Sequence, residues 1–330
     1  MAAPLRIVFL GSDPIAIPLL DYLGSGGNGT CEVVGVFTQP DRAVGRGQKV
    51  QASEIKQWAL ARSLPVFQPE ALNGEVLGQL RELAADVSLV FAYGHILKND
   101  FIETPRLGTL NLHTSLLPAY RGASPIQTAI ACGETTTGVT LMRIVRALDA
   151  GPVADVERIS IGPEDTALDV ERRLSVACVP LVARCLPGLL SQSLVFSEQA
   201  HESASYCRRL SKEDGVIDFR KPAVELARRI NGLSPWPGVS VAVGETLLKF
   251  GRATAVEDPH RAFEPGLVLD PDGRTLRIGT GEGILGILEV QRPGGRLLPA
   301  GEFLRGFPVA VGSVLASTEM PCLRSPTPFR

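Results

Sequence analysis

The chain has 330 residues, 45% of them hydrophobic, enough for one large domain or two ordinary ones, and this excludes a disordered chain. A net charge of −2 and a pI near 6.2 exclude a protein whose overall charge announces a polyanion partner. Six Cys form no C-x-x-C and four His complete no zinc pattern, so reduced thiols and no metal are expected.

In chain order, the N-terminus runs straight into a strand pattern without a signal sequence, and no run of 18 apolar residues follows. The expectation is a cytoplasmic protein with no membrane contact. Leu5–Leu10 reads as a short buried strand ending at Gly11, and Ile15–Leu23 as a helix after the Asp13-Pro14 start signal. Gly24-Ser25-Gly26-Gly27-Asn28-Gly29 satisfies the dinucleotide pattern G-x-G-x-x-G, yet it follows a helix and precedes a strand. Pyrophosphate binding needs the reverse order, with a helix N-terminus after the glycines, so NAD is not expected. Val33–Phe37 is the second strand, Ser53–Arg62 a helix, and Asp86–Ala92 a buried strand that turns at Tyr93-Gly94. Thr109–His113 and Val139–Val145 are strands flanking a helix at Ile126–Cys132. This alternation predicts an α/β fold with a doubly wound, mostly parallel sheet, whose site lies outside the carboxyl ends of the strands.

Leu190–Ala204 is rich in Ser and Gln and reads as a linker. Beyond it, a helix at Ala223–Ile230 is broken by Pro235-Trp236-Pro237-Gly238. Short strands follow at Val239–Val243, Thr246–Gly251, Gly266–Asp270, Thr275–Gly279 and Gly283–Gln291, separated by turns such as Pro271-Asp272-Gly273. This run predicts a small OB-like β-barrel. Residues 205–330 carry 17 Lys+Arg against 14 Asp+Glu, a slight basic excess compatible with contact to a polyanion. The expected division is a catalytic domain over 1–190, a linker over 191–207, the barrel over 208–312 and a flexible tail over 313–330.

Asn111 and His113 are two residues apart on a strand, so their side chains share one face while Leu110 and Leu112 take the other. Asp149 follows the next strand in Leu148-Asp149-Ala150-Gly151. An amide, an imidazole and a carboxylate near neighbouring strand ends suit acyl transfer to an amine. One group polarises a carbonyl, one manages a proton, and one orients the proton manager and favours its cationic form. Ser115 has no base beside it and reads as a turn hydroxyl bonded to backbone.

The run Asn111-x-His113-x-Ser115-Leu116-Leu117-Pro118, with Leu148-Asp149-x-Gly151 downstream, resembles the hallmark of the formyltransferase family that uses 10-formyltetrahydrofolate. Phe37-Thr38-Gln39-Pro40-Asp41-Arg42 with Gly45-Arg46-Gly47, Pro65–Pro69, Ala92-Tyr93-Gly94, Tyr206 through Glu213, Asn231 and Pro235-Trp236-Pro237 extend the resemblance over roughly residues 5–312. Departures stand at Thr114, His95 and Ala43-Val44. The resemblance implies a fold of this family's Rossmann-like type followed by the barrel, with Asn111, His113 and Asp149 carrying the chemistry. Ser115, Leu116, Leu117 and Pro118 would line the folate site, and Phe91, Tyr93, Gly94 and Ile96 would flank the pterin. Arg42, Arg46 and Lys49 lie in a Gly-containing loop that would order on the acceptor end of initiator methionyl-tRNA. The implied reaction moves a formyl group from 10-formyltetrahydrofolate to the α-amine of methionine on that tRNA, by direct amine attack through a tetrahedral intermediate, in a monomer without metal. An α-amine with a pKa of ~7.7–8 is partly neutral already, so strong activation is unnecessary.

Two rivals share the carrier: transfer to a sugar-nucleotide amine, and deformylation of the folate by water. The Arg42 loop and the basic C-terminal domain favour tRNA over the first, and the Arg42 loop and the barrel disfavour the second, since water needs no docking surface. A non-catalytic RNA-binding module is disfavoured by the intact trio and by few aromatic residues, 5% of the chain, for stacking bases.

Overall fold

The computed structural model describes residues 3–44, 49–256, 262–270 and 272–329. The chain forms two compact units, one of Met1–Arg121, Gly138–Ile159 and Arg172–Ala204, the other of Gly122–Thr137, Ser160–Glu171 and Ser205–Arg330.

The elements are, in order, β1 (Leu5–Gly11), α1 (Ile17–Gly24), β2 (Cys31–Phe37), the paired β3 (Arg42–Val44) and β4 (Lys49–Gln51), α2 (Glu54–Leu60), β5 (Val66–Phe67), α3 (Gly74–Glu82), β6 (Val87–Phe91), α4 (Asn99–Glu103) and β7 (Thr109–His113). Then come β8 (Arg121–Gly122), α5 (Pro125–Ala131), β9 (Thr136–Arg143), β10 (Val153–Ser160) and α6 (Ala167–Leu190). Seven strands make one sheet in the order β10-β9-β7-β6-β1-β2-β5. β1 pairs in parallel with β2 and β6, as do β2 with β5 and β6 with β7, and β9 runs antiparallel to β7. The expected mostly parallel sheet is therefore present.

Strand alternation sends Ile7, Val87, Leu89 and Leu110 to one face, where they meet Val182, Cys185, Leu186 and Leu189 of α6. Val8, Leu10, Phe37 and Val90 point the other way and cluster with Val76, Leu77 and Leu80 of α3 and Phe101 of α4. The Gly-rich stretch joins α1 to β2, as its order in the sequence predicts, and Gly26, Gly27 and Gly29 all take left-handed backbone there with φ of 88°, 51° and 80°.

Helices α3, α4 and α6 are not among the expected elements. In α6 the reason is visible, since Pro180 and Pro187 lie inside the helix and read locally as breakers. The 24 residues of α6 are long and apolar enough to cross a membrane by length and composition. Val170, Leu174, Cys178, Leu181, Cys185 and Leu189, however, form one buried stripe, with Glu171, Arg172, Arg173 and Arg184 off it along with the exposed Leu168 and Val176. That helical spacing of three to four is what a core helix of a globular unit requires.

The second unit holds α5, β11 (Tyr206–Cys207), α7 (Ala223–Leu233), β12 (Val239–Val243), β13 (Thr246–Val256), β14 (Leu276–Gly279), β15 (Ile284–Gln291), β16 (Leu297–Pro299), α8 (Ala300–Gly306) and β17 (Arg324–Ser325). Strands β12, β13, β15 and β14 pair antiparallel in that order, with β16 on β15, and the sheet curls into a half-barrel. This is the expected OB-like element. The expected strand at Gly266–Asp270 is reduced to single bridges, Leu267 to Val314 and Val268 to Ile278. Leu226, Ile230 and Leu233 of α7 join Phe250, Leu285 and Ile287 in the core.

The structure departs from the expected boundaries in three places. Residues 122–137 belong with the barrel unit because α5 lies on α7, where Gly232 comes so close that a Cβ would sit 2.6 Å from the Gln127 carbonyl oxygen. The tail from 313 is not a flexible appendage: β17 pairs antiparallel with β11, and Leu315 and Leu323 are buried in the core. The expected linker is also tied down, with Ser197 bridging Val153 by backbone hydrogen bonds in both directions.

Asn231 shows what the resemblance motif does in the barrel. It is fully buried on α7; its amide donates to the Ala253 carbonyl at 2.9 Å and its oxygen accepts from the Ala253 N–H at 2.8 Å. Asn231→Ala leaves both backbone groups of Ala253 unpaired in the core, so a loss of about 2–4 kcal/mol is expected. Urea denaturation of the variant checks this, and an unchanged midpoint would refute it.

Candidate active site

The site is built at the carboxyl end of β7. Asn111 and His113 share a face, as their spacing predicts; Asn111 is half-buried and His113 is 6% exposed. The side chain of Asn111 is partly open to solvent, so its amide N–H donors can reach a ligand. Each nitrogen of the His113 ring faces an oxygen. Nε2 lies 2.9 Å from the Tyr120 carbonyl oxygen, and Nδ1 lies 3.7 Å from Asp149 Oδ2. A carbonyl only accepts, so Nε2 carries the proton of the neutral ring and Nδ1 is its basic nitrogen. A proton taken up at Nδ1 then faces the carboxylate.

The route by which Asp149 arrives differs from the expected meeting of adjacent strand ends. Because β9 is antiparallel to β7, Thr140 stands opposite His113 and Arg143 opposite Leu110, so β9 finishes beside the start of β7. The chain after β9 returns over the Asn111 face, with Ile144 packed on the cluster of Val90 and Tyr93, and only then presents Asp149. Both partners of His113 sit on left-handed backbone, Tyr120 at φ 59° and Asp149 at φ 48°. Such a conformation costs about 1–2 kcal/mol for each non-glycine residue, so the surrounding contacts must hold it.

The loop after β7 is shaped from within. Ser115 Oγ donates to the Ala119 carbonyl at 2.6 Å, Thr140 Oγ1 donates to the Ser115 carbonyl at 2.6 Å, and the Leu117 N–H donates to Thr140 Oγ1 at 3.2 Å. Ser115 is fully buried and does the backbone work its turn reading predicts, leaving Leu116, Leu117 and Pro118 partly exposed.

The loop after β6 turns its rings away from solvent. Phe91 is 1% and Tyr93 2% exposed, whereas Ala92 and Gly94 are exposed and Ile96 is 93% exposed. Burial pushes the Tyr93 phenol above its usual range, and its hydroxyl has no partner among the described residues. This loop therefore exposes backbone and Ile96 while the rings of Phe91 and Tyr93 are buried. Three carboxyl-end loops are stitched together here. The Ser12 N–H donates to the Ala92 carbonyl at 3.1 Å, and Ser12 Oγ and Gln39 Nε2 both donate to the Tyr93 carbonyl at 3.2 Å.

Arg42 is exposed at the start of β3, with Nη2 3.2 Å from Gln39 Oε1. Asp41 beside it is anchored by Lys56 Nζ at 2.6 Å and Gln68 Nε2 at 2.7 Å, and hydrogen bonds from these two groups hold its carboxyl below the usual range. Arg46 and the side chain of Lys49 lie outside the described residues.

Formyl transferase describes the family model that matches residues 5–182, and formyl transferase, C-terminal domain, the one that matches residues 209–308. The chain belongs to the formyl transferase family. It is 41% identical over 317 residues to the methionyl-tRNA formyltransferase of Parvibaculum lavamentivorans, covering 94% of this chain and 100% of that protein. It is 39% identical over 307 residues to the methionyl-tRNA formyltransferase of Methylococcus capsulatus, covering 93% and 98%. Among solved structures it resembles the N-formyltransferase of Helicobacter canadensis in complex with folinic acid and dTDP-3-aminofucose, with a TM-score of 0.64, 20% identity and coverage of 87% and 99%. It also resembles the methionyl-tRNA formyltransferase of Clostridium thermocellum, with a TM-score of 0.54, 15% identity and coverage of 78% and 95%. Those two structural likenesses establish the shared fold.

The formyl transferase family signature in the sequence did not mark Tyr120, Thr140, Gln39 or Gln199 as supports of the site. Tyr120 acts through its carbonyl, which no side-chain pattern reports. Gln199 lies 50 residues from Asp149 in a stretch that reads as linker.

Proposed function

We propose that this chain transfers a formyl group from 10-formyltetrahydrofolate to the α-amine of methionine on initiator methionyl-tRNA. The observation that carries the reading is His113, seated between a carbonyl and a carboxylate beside the open amide of Asn111, in a chain about 40% identical over nearly its whole length to methionyl-tRNA formyltransferases.

The residues present fit a folate donor. The donor set is an amide, an imidazole and a carboxylate, which serves carbonyl chemistry without a covalent enzyme intermediate. The exposed backbone at Ala92 and Gly94, with Ile96, offers a polar edge and an apolar contact for a pterin, and Leu116, Leu117 and Pro118 border the site. The bound carrier supplies the formyl carbon. Asn111 donates its amide N–H to the formyl oxygen as negative charge develops there. His113 accepts at Nδ1 the proton that the attacking amine loses, and returns it to the departing nitrogen as the C–N bond to the carrier breaks. Asp149 faces the protonated ring while Tyr120 keeps the other ring nitrogen bonded. No proton is created or lost over the cycle.

Arg42 serves the tRNA backbone in this reading, together with Arg46 and Lys49. The barrel unit is the second tRNA-contacting surface, and the enzyme acts as a cytoplasmic monomer. Arg42→Ala is expected to raise KM for methionyl-tRNA about tenfold, the worth of one charge-assisted phosphate contact, and to leave KM for the folate unchanged. Steady-state kinetics at two salt concentrations check it, and an unaltered tRNA KM would remove Arg42 from the interface. The deciding experiment for the whole reading is a formyl-transfer assay with one folate donor and two acceptors, methionyl initiator tRNA and a UDP-amino sugar. Transfer to the tRNA supports it, and transfer to the sugar alone would overturn it.

A further inference from the structure

We propose that Gln199, itself oriented by Arg121, is a positioning residue for formyl transfer that holds the loop carrying Asp149 against His113. The inference rests on the reading of His113 and Asp149 as the proton-handling pair.

Gln199 is 6% exposed and Arg121 3% exposed. Gln199 Nε2 donates to the carbonyls of Asp149 at 2.9 Å and Gly151 at 2.7 Å. Gln199 Oε1 accepts from Arg121 Nε at 3.1 Å and Nη2 at 2.6 Å. These four bonds use both amide protons and both oxygen lone pairs. They also fix which way the amide points. A guanidinium only donates and a backbone carbonyl only accepts, so a flipped amide would set donor against donor and acceptor against acceptor. Arg121 Nη2 meets His201 Nδ1 at 3.0 Å, which steadies the guanidinium from a second side.

The connection closes on one side chain. Arg121 directly follows Tyr120, whose carbonyl faces His113 Nε2. The Tyr120-Arg121 segment therefore reaches both ends of the imidazole, directly at Nε2 and through Gln199 and Asp149 at Nδ1. The loop needs such a hold. Asp149 has left-handed backbone, and Val145 and Leu148 of the same loop are 40% and 63% exposed, so the apolar packing along it is thin. Without the two N–H donors of Gln199 the loop relaxes, and a shift of about 1 Å between reacting groups typically costs about 100-fold in rate.

Gln199→Glu separates this role from a packing role. The carboxylate keeps the shape and still accepts from Arg121, but it has no N–H for Asp149 or Gly151. The expected result is a fall in kcat of about 100-fold with KM for folate and for methionyl-tRNA within about twofold. In an Asp149→Asn background the same change is expected to remove little more, because both act through one contact. An unchanged kcat, a loss confined to KM, or a full further 100-fold loss on top of Asp149→Asn would each overturn the proposal. If the glutamate prevents folding, Gln199→Met serves in the same comparison, since it too lacks the donors. Near-normal turnover of Asp149→Asn alone sinks the catalytic reading itself, a result separable from any given by Gln199.

Discussion

Replacing His113 by alanine is expected to lower kcat about 10²–10⁴-fold, the usual worth of a positioned acid–base group, while KM for both substrates stays within a few-fold. The magnitude follows from what the ring does. The amine attacks as a neutral base and then carries a proton it must lose before the carrier can leave. Nδ1 is the nitrogen of His113 with room to accept that proton, since Nε2 is committed to the Tyr120 carbonyl. Alanine also removes the group that Asp149 faces at 3.7 Å, and leaves a carboxylate with no imidazole to steady. The ring lies on β7 and is 6% exposed, so the truncation opens a cavity as well. The loss must therefore be read as kcat per folded molecule, well below the melting temperature. Single-turnover rates with enzyme in excess over methionyl-tRNA isolate the chemical step. Retention of more than about a tenth of the wild-type rate would place the proton elsewhere.

Asn111→Ala is the second large effect, with kcat expected to fall about 10²–10³-fold. Here the folded state has little to lose. Asn111 is only half-buried, so the thermal midpoint should barely move. What disappears is a donor aimed at a charge that exists only while the acyl group is being transferred, which is why KM should not follow kcat. Asn111→Asp sharpens the test. It preserves the shape but offers acceptors alone, and its negative charge opposes the developing oxyanion, so it should be no better than alanine. Near-normal turnover in either variant would end the oxyanion role.

Chain order alone was enough to place Asn111 and His113 on one face of a buried strand, because side-chain direction on a strand is a local property with a period of two. It was enough to place the Gly24–Gly29 stretch between a helix and the following strand, because that order is also a local fact. The β-rich second half was legible for the same reason, as short runs between turn residues. What the tertiary structure decided is everything that depends on pairing across long separations. The antiparallel register of β9 turned the path of Asp149 back over the sheet, and nothing in residues 136–149 encodes that register by itself. The hold of Gln199 on residues 149–151 and the packing of α5 on α7 join segments dozens of residues apart, and the Tyr120 carbonyl meets His113 only because the short loop between them folds back. Backbone carbonyls and buried amides have no periodic signature, so they become visible only when folding sets their partners opposite them.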